Sequence, residues 1–311
     1  MPQAGIEAVA LRQPGYDPWR FDRRVVWDQV LLPLYAARTG AALLHCTSGS
    51  VPLFASLPEV VTIHDIAWLA DAQAHAPAYA RWYFGAFSAG RWRSVRRIIV
   101  DSHFTRDELL AKVALDPNHV TVVHPGVEAA FAGIVRRPAD PPILLCVGTV
   151  ERRKNAGIVI EALASLPGMR LVCVGPSTPY QSDCAQLAER LGVAQRVEFA
   201  GYVSRERLLE LYATAAVAVA PSRYEGFGYA AAQALCAGVP LVAARSSSLV
   251  EVVQDDAPLL DADDAAAWSA AIAARVGTQN SAQQRESAVA RFSWKTAAAA
   301  TAAVYRSVLV A

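Results

Sequence analysis

The chain has 311 residues, 54% of them hydrophobic and 18% charged, enough material for one large or two medium cores. Lys plus Arg total 29 against 28 Asp plus Glu, a net charge of +1, so no global field draws nucleic acid and no nucleic-acid partner is expected. No apolar run reaches the length of a transmembrane helix, the first fifteen residues lack the pattern of a signal peptide, and the five cysteines form no CxxC pair, which excludes a disulfide scaffold or a zinc ribbon.

The start is weakly apolar at 6–11 and then polar and aromatic over 13–24, short for a doubly wound lobe. Apolar runs of four to six residues follow at 42–46, 60–64, 97–101, 120–124, 143–148, 170–175, 196–200, 216–221 and 240–244. They suit parallel strands buried on both faces. Amphipathic stretches such as 155–166, 183–191 and 206–215 lie between them, and strand and helix in alternation predict an α/β fold. The stretch 133–142 (GIVRRPADPP) holds three prolines and no apolar periodicity, which reads as a linker between two lobes.

Several segments carry chemistry, each beside a plainer reading. In VVTIHDIAW (60–68), His64 ends a strand beside Asp65; it is either a satisfied strand-end histidine or a ligand for a sugar hydroxyl. Residues 81–97 hold five arginines, five aromatics and no acid, as on a helix that meets an anionic membrane or one half-buried with an arginine face. In RIIVDSHFTRDEL, Ser102 or Thr105 caps a helix, and Thr105 with Glu108 has capping-box spacing. VVHPGVE (122–128) is a strand and a Pro-Gly turn. VGTVERRKN (147–155) puts Arg152, Arg153 and Lys154 at a strand end, in a chain with 26 arginines and three lysines; the cluster is a solvated loop or a diphosphate site. In PSRYEGFGYAAAQALCAGVP (221–240), a strand leads through Glu225, Gly226, Phe227 and Gly228 into a helix from Tyr229 to Cys236, with Gly238 as its stop. A helix N-terminus can hold a phosphate, and the plain alternative is a strand–turn–helix junction with an acidic cap. Asp261 and Asp263 have acidic metal-motif spacing, but a helix cap is the better reading.

VVTIHD, RIIVDSHFTRDEL, VTVVHPGVE, ILLCVGTVERRKN, RVEFAGYVSRERLLELY, PSRYEGFGYAAAQALCAGVP and the closing RFSWKTAAAATAAVY occur in this order. Together they resemble the retaining family 4 glycosyltransferases, and most closely the mannosyl- and rhamnosyltransferase types that build surface polysaccharides. The resemblance implies a GT-B fold, two Rossmann-like domains facing a central cleft, here with a shortened N-terminal domain. It implies an acceptor-binding domain over 1–138, a nucleotide-sugar domain over 139–290 and a closing helix over 291–311 that packs back on the first. His64 and Glu225 then face the transferred sugar as the catalytic pair. Gly148, Thr149, Arg153, Lys154, Gly226, Phe227, Gly228 and Gln233 bind the donor. Gln233 replaces the second glutamate of the family's E-x7-E motif, and the family's N-terminal glycine-rich loop has no counterpart. No metal and no cofactor is expected. The implied donor is a nucleotide-diphosphate sugar such as GDP-mannose, and the implied acceptor a glycan or lipid-linked sugar. The implied location is cytoplasmic, at the inner membrane face if 81–97 touches lipid. The two departures also keep open a non-catalytic sugar-nucleotide-binding protein.

Overall fold

The computed structural model describes residues 21–70 and 82–310. The weakly apolar start at 6–11, most of 13–24, and Arg81 of the basic aromatic stretch lie outside the described residues. The chain divides into two compact units, 1–124 with 295–311, and 125–294.

The first unit holds four parallel strands: β1 (Leu44–Cys46), β2 (Glu59–Ile63), β3 (Arg97–Val100) and β4 (Val120–Val122), in that spatial order. Alternation sends Val61, Ile63, Ile98 and Val100 to one face, where they meet Trp92 and Leu109. Val60 and Ile99 point to the other, against Ala297, Val304 and Val308 of the closing helix Trp294–Val310. Burial on both faces explains why β2 and β3 are rich in Val and Ile.

The second unit has six parallel strands: β5 (Ile143–Val147), β6 (Arg170–Val174), β7 (Val197–Gly201), β8 (Val217–Ala220), β9 (Leu241–Ala244) and β10 (Leu259–Leu260). Their order is β10-β9-β8-β5-β6-β7, so the winding reverses between β5 and β8. The helix Ala156–Ala164 leads from β5 toward β6, and the helix Tyr229–Cys236 leads from β8 toward β9. Crossovers that diverge leave a crevice at the carboxyl ends of β5 and β8, the usual ligand position in an open α/β sheet. The four described strands of the first unit run in sequence and show no such reversal.

Each of the nine apolar runs overlaps a strand; among the described residues only the two-residue β10 was not foreseen. The division between units falls at Pro125, ahead of the proline-rich 133–142. That stretch lies within the second unit, where the Arg137 and Ala139 amides donate to the carbonyls of Ala213 and Thr214. Ser102, not Thr105, caps the helix His103–Lys112 by accepting from the Thr105 amide. Asp264 caps Ala265–Arg275 through the Ala267 amide, while Asp261 and Asp263 stand in the turn before it.

Candidate active site

The crevice between β5 and β8 is lined by Gly148, Thr149 and Lys154 after β5, by Ser222, Glu225 and Gly228 after β8, and by Leu249. Lys154 Nζ donates to Glu225 Oε1 at 2.6 Å. The same carboxylate oxygen accepts from Ser222 Oγ at 2.8 Å. Arg153 lies 3.6 Å from Glu225 Oε2 and 2.9 Å from Glu151 Oε1, and it donates to the Tyr224 carbonyl at 3.0 Å. The Lys154 and Glu225 side chains are 19% and 14% exposed, so their attraction is less screened than at the surface. Two cations face two carboxylates here, and an entering anion competes with Glu151 and Glu225 for them.

Local backbone geometry sets this cluster. The stem of Lys154 passes over Gly148 (φ +141°), its carbons 3.6 Å from where a Cβ would be. Asn155 then turns the chain in the left-handed region, φ 55°, which asparagine tolerates better than most residues, and its side-chain amide donates to the Ala262 carbonyl. Gly228, φ +93°, is the N-cap of Tyr229–Cys236, and no side chain caps that end. A Cβ there would meet Leu249 at 2.7 Å, so only glycine lets the helix start so close to its neighbour.

The other expected residues sit apart from the crevice lining. The side chain of Phe227 is buried, edge-to-face with Tyr229 and Phe292, so it supports the loop from behind. Gly226 is buried in the same turn. Gln233 lies within the following helix, its Oε1 3.1 Å from the hydroxyl of the fully buried Tyr212. His64 lies in the first unit at the end of β2. Its Nδ1 is 2.7 Å from Asp101 Oδ2 and its Nε2 2.9 Å from the Thr47 carbonyl. The hydrogen bond to Asp101 is the main cause that raises the His64 pKa, with burial opposing it.

Sequence reasoning passed over the serines that hold Glu225. Its amide donates to Ser247 Oγ at 2.8 Å, its carbonyl accepts from Ser248 Oγ at 2.9 Å, and Ser246 Oγ donates to the Ser222 carbonyl. The signal was present as three consecutive serines just past β9. Glu151, the partner of Arg153, was also missed. In the basic aromatic stretch, Tyr83 and Trp92 are core residues, Trp92 donating to the Gly49 carbonyl, while Trp82 is exposed. Arg91 reaches Glu59 and the Pro52 carbonyl. Of the described arginines here only Arg91 lies on the helix that ends at Trp92; Arg93 and Arg96 follow it, exposed, and Arg97 opens β3. Among the described residues no helix is long and apolar enough to cross a membrane.

Two parallel-sheet α/β units, one with a cationic crevice at a switch point, define an open-sheet α/β class of fold, and comparison with known proteins narrows it. Residues 129–289 match the family model described as Glycosyl transferases group 1, and residues 3–131 match Glycosyltransferase Family 4. The chain belongs to the glycosyl transferases group 1 family. The D-inositol 3-phosphate glycosyltransferase of Mycolicibacterium smegmatis is 33% identical over 64% of this chain and 50% of that protein. The one from Acidothermus cellulolyticus is 32% identical over 98% of this chain and 70% of that protein. The chain thus spans about half the length of the mycobacterial relatives it matches. Sucrose-phosphate synthase from Thermosynechococcus elongatus superposes with a TM-score of 0.73 at 24% identity, over 90% of this chain and 76% of that one. Anabaena Alr3699/HepE in complex with UDP and glucose gives 0.73 at 18% identity, over 91% and 83%. These likenesses carry the fold, which is GT-B as the resemblance implied.

Proposed function

We propose that the protein is a retaining glycosyltransferase that takes a hexose from a nucleotide-diphosphate sugar and places it on a hydroxyl acceptor without a metal. The observation that carries this reading is the Lys154–Glu225 pair at the β5/β8 reversal. Lys154 and Arg153 hold the donor diphosphate and offset the charge that develops as it leaves, helped by the N-terminus of the 229–236 helix. Glu225, fixed by Ser222 and by its ion pair with Lys154, accepts hydrogen bonds from hydroxyls of the transferred sugar. Gly148, Thr149 and the backbone of Gly226, Phe227 and Gly228 shape the donor pocket, and Gln233 contacts the nucleotide ribose. The names of the solved neighbours support a nucleotide-sugar donor, since HepE is described with UDP-glucose; GDP-mannose is the donor that the sequence resemblance favours. The relatives' name supports D-inositol 3-phosphate as an acceptor class, beside the glycan or lipid-linked sugar of surface polysaccharide synthesis. A cytoplasmic enzyme that touches the anionic inner membrane face through the exposed part of 82–97 completes the reading.

The test is thermal unfolding with GDP, UDP and their sugar conjugates, followed by transfer assays with both acceptor classes. A ligand bound only by the native state raises the melting temperature by mass action. The expected result is a rise with one base that Lys154→Ala abolishes, together with transfer of the sugar with retained anomeric configuration. Charge-assisted hydrogen bonds of this kind contribute about 1.5–3 kcal/mol, roughly ten- to a hundredfold in Kd. No shift with any nucleotide would overturn the donor site. Binding without transfer would favour the non-catalytic reading.

A further inference from the structure

Ile63 at the end of β2 pairs with Val100 at the end of β3. One residue beyond that pair stand His64 and Asp101, so the parallel register itself puts a histidine beside a carboxylate at the carboxyl edge of the sheet. Asp101 is buried, its side chain 9% exposed, while the His64 side chain is 59% exposed. His64 Nδ1 is 2.7 Å from Asp101 Oδ2, and Nε2 is 2.9 Å from the Thr47 carbonyl just after β1. Both partners are acceptors without a proton to give: one a carboxylate, the other a backbone carbonyl. A neutral imidazole has one N–H and one lone pair, and it satisfies only one of them. Two N–H groups satisfy both.

We propose that Asp101 is a positioning residue that, with the Thr47 carbonyl, holds His64 doubly protonated, so that His64 serves sugar transfer as a hydrogen-bond donor and fixed cation and not as a base. This rests on the glycosyltransferase reading and assigns His64 its chemical role within it. Nε2 makes the more exposed of the two contacts and carries a hydrogen while His64 is doubly protonated. A substrate oxygen that reaches it shares or replaces the Thr47 carbonyl as acceptor, which suits a hydroxyl or an anionic oxygen. The imidazolium has no lone pair, so it takes no proton from the acceptor hydroxyl.

The groups of the first unit that face His64 agree. Asp101 on the β3 edge and Asp65 next in the chain raise its pKa, burial lowers it, and His45 on β1, itself lowered to about 4, stays neutral near pH 7. With a raised pKa, the proton is present at low pH and is lost as pH rises through that value. Transfer that needs the donor therefore holds at lower pH and falls on the alkaline side.

The decisive measurement is nitrogen-15 NMR of the full chain with labelled histidine, without substrate. The expected result is a histidine resonance pair with both nitrogens protonated at pH 7 that is absent from His64→Gln and titrates above 6.5. In Asp101→Asn its midpoint moves down. A His64 with an unprotonated ring nitrogen at pH 7 overturns the proposal, whether or not the variants fold. In the transfer assay, Asp101→Asn is expected to lower kcat on the order of 10²-fold, the effect of removing one preorganised donor. It is also expected to bring the alkaline limb to lower pH, with the nucleotide-induced rise in melting temperature kept. His64→Gln, which retains a donor, is expected to keep more activity than His64→Leu; equal loss would count against the donor role. Failure of the nucleotide shift in the wild-type chain would overturn the proposed function, a result separate from the resonance titration.

Discussion

Gln233 stands eight positions after Glu225, and its acceptor oxygen meets the Tyr212 hydroxyl, which also lies 3.2 Å from the Ala230 carbonyl. A carboxylate at 233 would accept from the same tyrosine. Gln233→Glu is therefore expected to fold normally and to tighten donor binding roughly fivefold, as a charged acceptor replaces a neutral one at the ribose. Titration of donor into both proteins checks this, and unchanged affinity would remove residue 233 from the ribose contact. Lys154 and Glu225 were legible as separate sequence segments, because each follows an apolar strand and opens a helix. Their contact was not legible, because 71 positions separate them and only the adjacency of β5 and β8 closes that gap. The serines at 246–248 were unreadable for a related reason. A hydroxyl has no fixed partner in a sequence, and these acquire theirs when β9 lies beside β8.

At the scale of elements, strand ends are where this fold is least tolerant. Gly175, at the end of β6, has φ +146°, and a Cβ there would sit 2.2 Å from the Gly148 carbonyl oxygen. Gly175→Ala is expected to cost several kcal/mol, beyond the usual range for surface changes, and to distort the Gly148–Thr149 turn. Denaturant melts should show a lowered midpoint, and the nucleotide-induced stabilisation should weaken as well. Ser102→Ala, which removes the cap of His103–Lys112, is expected to cost about 0.5–2 kcal/mol and, in the same melts, to leave nucleotide binding intact. Most strands were readable because parallel strands buried on both faces leave short runs dominated by Val, Ile, Leu and Ala. The short β10 was not, since two half-buried leucines at a sheet edge make no pattern. The aromatic stretch 81–97 was ambiguous by composition. Part of it packs inside, Trp92 in the core with Val61 and Ile63 and Tyr83 against Gln29, contacts that the local sequence does not describe.

On the scale of the whole molecule, the closing helix joins the chain's last residues to its first unit. His45 on β1 has Nδ1 2.6 Å from Tyr305 Oη and Nε2 2.8 Å from Thr62 Oγ1. Hydroxyls can donate or accept, so this histidine is at home neutral, and burial lowers its pKa to about 4. Between about pH 6.5 and 4 the unfolded chain binds the proton that the folded chain refuses, so stability is expected to fall as pH drops through that window. His64, with its pKa raised, acts oppositely above 6.5. Melting temperature against pH should show a maximum near neutrality, and His45→Gln should flatten the acid side; an acid limb unchanged in that variant would exclude His45 as its cause. The sequence by itself determined the α/β class, the order of strands along the chain, and the segments that carry charge and glycine, because each is a local matter of periodicity, turn chemistry or residue type. Tertiary structure decided which strands are neighbours, where the winding reverses, and so that Lys154 meets Glu225 and His64 meets Asp101. Those pairings depend on how separated strands lie side by side in a sheet, and no local stretch of sequence contains that information.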